Sequence, residues 1–245
     1  DPMNDGRAPF FYESVGGYHA AKLAVYQDYI DEILFAEGAE LNPNALDLMG
    51  TRFIVAQGLV PGFEPVYQSQ ETGLLVLEND DFLPRAYFVD SLEVVEGRED
   101  MFARIRDTSL VLRETALVGA LPEGYEPAPR DTNSVVTVEL ERFTPREIVW
   151  DVETEQDRLL VASEVYYPAG WEAYIDDRRV EIIRVNHLLR GVMIPAGRHN
   201  VSMSFEPQSH RTGLRISWIA SLLVYAGTVF LGGLLWFQKG HKQGS

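Results

Sequence analysis

This 245-residue chain predicts an α+β N-terminal subdomain, then an antiparallel β-sandwich of immunoglobulin size, then one C-terminal transmembrane helix. Three observations carry that reading. Ile216 to Phe237 is a run without a single charge, and about 20 apolar residues in a helix cross the roughly 30 Å hydrocarbon core. From residue 134 to 210 apolar side chains recur with period two, in short runs parted by tight turns. Before residue 120 helical spacing and short strands are mixed, which suits an α+β unit.

The elements follow in order. An aromatic run, Pro9-Phe10-Phe11-Tyr12, precedes Ser14-Val15-Gly16-Gly17-Tyr18-His19. A helix should follow, because Leu23, Tyr26, Ile30, Ile33 and Leu34 recur at helical spacing with Gln27, Asp28, Asp31 and Glu32 opposite. Glu37-Gly38 would end it. Asn42 is placed to cap a second short helix through Met49, with Pro43 as its first residue. Strands are expected at Arg52–Ala56, Pro65–Ser69, Leu74–Glu78 and Arg85–Val89, with Glu71-Thr72-Gly73 as a turn. A helix at Glu99–Asp107 and a strand at Ser109–Glu114 complete residues 1–120. Residues 121–133 hold the proline-rich stretch Leu121–Arg130 and read as a linker.

In residues 134–210 seven strands are expected. Val136, Val138 and Leu140 share one face; so do Ile148, Trp150 and Val152, and so do Val201, Met203 and Phe205. Between them lie Arg158–Tyr167, Trp171–Ile175, Arg179–Val185 and Leu188–Ile194. The membrane helix is drawn at 213–238, with Trp218 and Trp236 near its ends where indoles favour the interface. Gly227, Gly232 and Gly233 would let other membrane helices approach closely. A tail, 239–245, follows.

Composition narrows the function. A net charge of −16 argues against nucleic acid, since phosphate binding needs clustered Lys and Arg. With no cysteine, disulfides and thiolate metal sites are excluded. Asp1 rather than Met opens the chain and no signal peptide follows, so it reads as the C-terminal part of a longer protein. Lys239 and Lys242 after the span are balanced by Arg198, Arg211 and Arg215 before it, and charge leaves the orientation open.

Catalytic patterns are sparse. His19, His187, His199, His210 and His241 form no metal-binding spacing, and no nucleophile elbow or Walker loop occurs. Gly16-Gly17 reads as a tight turn rather than a phosphate cradle. Carboxylates such as Glu164, Glu172, Asp176 and Asp177 are plentiful, but 37 acids produce chance pairs, and solvated surface is the default. The aromatic corner Tyr166-Tyr167-Pro168-Ala169-Gly170-Trp171, with Tyr174 beyond it, could stack on sugars. The competing role is core, with Trp171, Ala173 and Ile175 facing inward. Tyr18 and His19 could line a cleft or cap the helix they precede. Arg85 could hold a ligand or pair with one of the acids.

The corner also carries a family resemblance. Tyr166 to Asp176 resembles the YYPGW-A-ID segment of the YfhO family of bacterial membrane proteins. Arg184-Val185-Asn186, Leu189-Arg190-Gly191-Val192 and Ile194-Pro195-Ala196-Gly197-Arg198-His199 continue it. Ser14 to Leu23 with Tyr26-Gln27 is similar to the GGYH-AKL-YQ segment, and Asn44 to Ile54 loosely to N-LNMLNTKYFI. Glu78-Asn79 and Leu83-Pro84-Arg85-Ala86-Tyr87-Phe88-Val89 resemble "EN … LPRA-FV". Together these cover most of residues 10–217 in order. Two departures stand out: Ala169 is an extra residue, and Asp176-Asp177 replaces the usual Asp-Gly, which implies a longer or different turn.

The resemblance implies a polytopic protein of glycosyltransferase-C-like architecture, moving a sugar from a polyprenyl-phosphate carrier to a cell-surface acceptor such as lipoteichoic acid. The catalytic acid is expected in an early extracytoplasmic loop, outside this sequence. No catalytic residue is therefore carried over, no cofactor or metal is implied, and this chain alone should be inactive. The body would lie outside the bacterial cell membrane and the C-terminal tail in the cytoplasm. Its partners would be the lipid bilayer, upstream transmembrane helices, the lipid-linked sugar and the acceptor polymer. The acidic surface suits a neutral or cationic acceptor better than a polyanion. Candidate ligand contacts are Tyr18, His19, Asn79, Arg85, Tyr166, Tyr174 and Asn186. The alternatives are a single-pass glycan-binding or structural surface module without enzymatic activity, and a free-standing hydrolase, which would need a pocket with paired, shifted acids.

Overall fold

The computed structural model describes residues 6–17, 22–36, 41–126 and 136–242. Tyr18, His19 and Glu37-Gly38 lie outside these residues, as does most of the 121–133 segment. The helices are α1 (Ala8–Phe11), α2 (Ala24–Tyr29), α3 (Pro43–Leu48), α4 (Arg98–Arg106) and α5 (Gln208–Lys242), and α2 runs on as a π-helical turn at Ile30–Leu34. The strands are β1 (Phe53–Ala56), β2 (Glu64–Gln68), β3 (Leu75–Glu78), β4 (Ala86–Val89), β5 (Ser91–Val94), β6 (Thr115–Val118) and β7 (Val136–Thr144). They continue as β8 (Glu147–Thr154), β9 (Arg158–Val165), β10 (Trp171–Ile175), β11 (Arg178–Val180), β12 (Ile183–Val185), β13 (Leu189–Ile194) and β14 (Gly197–Phe205).

Among the described residues there are three sheets: β1-β3-β2, β11-β10-β14-β8-β7 and β4-β9-β13-β12-β6-β5. All pairings are antiparallel except β5 with β6. The five- and six-stranded sheets pack face to face around Trp150, Val152, Leu160, Ala162, Val192 and Met203. This is a sandwich, but β4, β5 and β6 of its six-stranded sheet come from before residue 120 rather than from 134–210. On its other face the six-stranded sheet covers a second core. There Leu159, Val161 and Leu117 meet Tyr29, Ile33 and Leu48 of the helical layer. Alternate residues of β9 thus enter different cores. That is why Leu159-Leu160-Val161-Ala162 is continuously apolar, a pattern typical of strands buried on both faces.

The helical layer follows local chemistry. Asn42 accepts a hydrogen bond from the Ala45 amide at 3.2 Å, and Pro43 opens α3 as expected. Buried Tyr29 donates to the Ala45 carbonyl and ties α2 to α3. Asn44 donates to the Ile105 and Asp107 carbonyls, satisfying groups the end of α4 leaves open. Glu99 and Asp100 start α4 and Arg104 and Arg106 end it, matching the helix dipole.

Some expectations are corrected. Residues 109–114 form turns, and the strand is Thr115–Val118, because Ala116, Leu117 and Val118 fill the core while Ser109, Val111 and Arg113 stay exposed. The strand expected at Arg179–Val185 is two strands, β11 and β12, in different sheets. Ser91–Val94 forms an additional strand that no alternation marked. On β7, Val136 and Leu140 are exposed, and only Val138 packs against the sandwich core. The Asp176-Asp177 turn is neither longer nor of another kind. It spans two residues with φ of 48° and 67°, the signature of a type I′ hairpin. Local bonds offset the left-handed backbone: Asp176 accepts the Asn200 amide at 2.9 Å and contacts His199 Nδ1 at 2.6 Å.

Helix α5 runs 35 residues, and its stretch Thr212–Gly233, of mean hydropathy 1.6, has none of its window buried. A long, largely apolar helix covered by none of the described residues suits a bilayer.

Candidate functional site

One open cleft of about 590 Å³ contains the candidate Arg85. Four segments form it: Glu13–Val15, Met49–Phe53, Phe82–Arg85, and Ser163-Glu164 at the end of β9. At its centre Arg85 donates to Glu164 at 2.8 Å and to Glu13 at 3.0 Å. Its guanidinium also lies 3.9 Å from the centroid of the Phe143 ring. The side chain is 30% exposed, so a ligand can reach it. A second arginine repeats the chemistry across the cleft. Arg52 pairs with Glu78 at 3.1 Å and stands over the rings of Phe53 and Phe82.

These groups are held from below. Asn79 is buried; its amide donates to Asp47 at 2.7 Å and to the Thr51 carbonyl at 3.0 Å. Its backbone amide donates to the Arg52 carbonyl, and its side-chain oxygen accepts the Asp81 amide. The loop carrying Phe82 is thereby pinned to the segment carrying Arg52. Burial raises the Asp47 carboxyl above its ordinary pKa, and the Asn79 hydrogen bond opposes that shift. Ser163 holds the Arg85 loop to β9, donating its hydroxyl to the Pro84 carbonyl and its amide to the Arg85 carbonyl. Tyr26 donates to the Val15 carbonyl and touches the Met49 sulfur, and burial pushes its phenol up to about 12.

Chemically the cleft offers fixed donors and acceptors between half-exposed rings. Phe53 is 50% exposed and Phe143 44%. Ring faces and bidentate-capable arginines beside carboxylates can hold a polyhydroxylated ligand by stacking and hydrogen bonding.

The other candidates sit elsewhere. Tyr166 and Tyr167 line a second opening of about 480 Å³ with Trp171 and Arg179. Tyr166 is only two residues, about 7 Å of extended chain, from Glu164. Trp171 is half-buried against the sandwich core, 5.4 Å from Phe205 and under the Arg190 guanidinium. Tyr174 donates to Glu172 at 2.6 Å on β10, away from the cleft. Asn186 is fully buried in the hairpin turn after β12, accepting the Leu117 amide at 2.7 Å. Beside it His187 packs edge-on against Phe102, and burial and neighbouring Arg184 lower its pKa to about 4. Of the described candidates the cleft brings together Arg85 and its support Asn79; Tyr166 stands nearby, and Tyr174 and Asn186 do not join it. Arg52, Glu13, Phe53, Phe82 and Phe143 were not anticipated. Their only sequence signal is an arginine beside phenylalanine, in Arg52-Phe53 and in Phe82-Leu83-Pro84-Arg85.

Residues 112–217 match the sequence model of a family described as bacterial membrane protein YfhO. The match runs from just before β6 through the sandwich into the start of α5, and includes Ser163 and Glu164 of the cleft and Phe143, whose ring lies against Arg85. No curated protein and no solved structure matches the chain. This similarity and the apolar C-terminal helix together support association with a membrane.

Proposed function

We propose that this chain is the extracytoplasmic C-terminal part of a polytopic YfhO-like glycosyltransferase, and that its cleft holds the acceptor glycan. In this reading the whole protein moves a sugar from a polyprenyl-phosphate donor to a cell-surface polymer. The body faces outward and the C-terminal tail lies in the cytoplasm. This chain roofs the membrane-embedded reaction site and supplies no catalytic residue.

The observation that carries the reading is the Arg85 constellation. A guanidinium stacked on Phe143, bonded to Glu164 and Glu13 and open to solvent, is suited to hydroxyl-rich ligands. Its anchor Glu164 leads within two residues into the corner that abuts the membrane helix. A ligand in the cleft is thus brought near the bilayer, where a lipid-linked donor would be.

The test uses the full-length protein in its own membrane. Sugar incorporation into the envelope polymer is measured for wild type, Arg85→Ala and Phe143→Ala at matched protein levels. Each substitution should lower transfer about tenfold, the loss of roughly 1.4 kcal/mol of binding. Unchanged incorporation in both variants would sink the assignment. Loss of polymer binding by a protein that never transfers sugar would favour the single-pass glycan-binding module.

A further inference from the structure

The aromatic corner that the cleft leaves unused lies at the root of the membrane helix. The Gly170 carbonyl accepts the Glu206 amide at 2.6 Å. Packing is so close there that a Cβ on Gly170 would come within 3.0 Å of Pro207 and 2.9 Å of the Phe205 ring. At φ 104° the position suits only glycine in any case. An opening of about 350 Å³ joins Pro168, Trp171 and Arg179 to Pro207 and Ser209 of the helix start. The corner is therefore level with residues 205–209.

The apolar stretch begins at Thr212. From Pro207 to Thr212 a helix rises about 7.5 Å. The headgroup layer on each side of the hydrocarbon core is roughly 5–8 Å thick. With the span inserted, the corner falls at headgroup depth. Its composition fits that depth. Tyr167 and Pro168 are exposed, and Tyr167, Trp171 and Phe205 form a continuous ring cluster, with centroids 6.4 and 5.4 Å apart. Tyrosine and tryptophan favour this layer because one end of each is apolar and the other polar. From behind, Arg190 braces the cluster, its guanidinium 3.9 Å from the Trp171 centroid and its Nε donating to the Val165 carbonyl.

We propose that the Tyr167–Trp171 corner with Phe205 is an interfacial collar. It seats in the headgroup layer of the bilayer that α5 crosses and fixes the tilt of the extracytoplasmic body on its tether. The lipid contact is made by rings, not by charge. The openings beside the corner are lined by Glu172, Glu181 and Glu206 as well as Arg179, so a zwitterionic bilayer is the probe in which the rings carry the contact.

The chain has no cysteine, which allows single labelling sites. Nitroxide labels are placed at Ala169→Cys, at Glu71→Cys in the turn between β2 and β3, and at Val224→Cys in α5. The full chain is reconstituted in phosphatidylcholine bilayers, and label collisions with oxygen and with a water-soluble nickel chelate are recorded. At Ala169 nickel collisions should be about twofold or more below those at Glu71 while oxygen collisions rise, the signature of the interface. Tyr167→Ser should return the Ala169 label towards the Glu71 values, and 0.5 M salt should not. A fall in both oxygen and nickel collisions would mean protein cover and overturn the collar. So would Ala169 values equal to those at Glu71 while Val224 reports insertion. The Val224 label separates failure of the collar from failure of the span, and neither outcome depends on sugar transfer.

Discussion

Arg85 and Arg190 make the same ring contact, 3.9 Å from the centroids of Phe143 and Trp171, in opposite surroundings. Arg85 is partly exposed and answered by two carboxylates. Arg190 is only 4% exposed, Nη1 finds no partner among the described residues, and burial lowers its pKa to about 10, so it remains a cation at neutral pH. The contrast teaches that a stacked arginine is a binding group where water reaches it and a strut where water does not. In the cleft solvent screens every pair, so little stability rests on them and they are available to a ligand. At the corner the charge is dry and its contacts hold the sandwich edge.

The sharpest break between the two regions should come from Arg190→Ala, with a loss of about 3 kcal/mol in the denaturation free energy of the full chain. Arg190→Met should lose less, because it keeps the stem that packs against Trp171. A cost equal to that of Arg85→Ala would remove the distinction. Next comes Asn79→Ala, at about 2 kcal/mol, because it leaves the buried Asp47 carboxylate and the Thr51 carbonyl unpaired. Its signature is lost stability together with weakened ligand binding, since Arg52 and Phe82 are both released.

A smaller effect is set by pH. With a folded pKa of about 4 against the ordinary 6.5, His187 takes its proton more readily in the unfolded chain. Stability from this group is complete well above pH 6.5 and declines as pH falls towards 4, with about 1 kcal/mol lost near pH 5.8. His187→Gln should flatten the pH dependence of the melting temperature in that window, and identical slopes would contradict the assignment. Arg85→Ala should have the smallest structural effect, below about 1 kcal/mol in stability, while carrying the functional loss described above. A large loss of stability would make Arg85 a second strut.

Much of this was legible from residues alone. Trp150 and Val152 alternate with polar neighbours, so their strand and its inward face could be read directly. Asn42-Pro43 announced a capped helix through local chemistry that tertiary structure did not override. Ser91–Val94 was silent because a short strand pairing in parallel with β6 carries no turn signal and little alternation. The cleft was harder. Arg85 could be singled out, but its partners Glu13 and Glu164 lie 72 and 79 residues away, and nothing in 37 acids marks those two. Asn186 was singled out as a candidate ligand contact, but it is buried and accepts the Leu117 amide, a partner that a hairpin read by itself does not reveal.

The six-stranded sheet interleaves strands from far apart in the chain, with β9 seated between β4 and β13 and β12 beside β6. This has a kinetic meaning. During synthesis β4, β5 and β6 emerge early and must wait for β9, β12 and β13, so most of the sheet closes late and through distant contacts, a slow route. By the same logic, a protease cut between residues 121 and 126 should yield two pieces that stay together. The β4–β9 ladder, the β12–β6 contact and two shared cores hold them without the connecting peptide. Co-expressed as separate halves, the two segments should reassemble as a complementing pair.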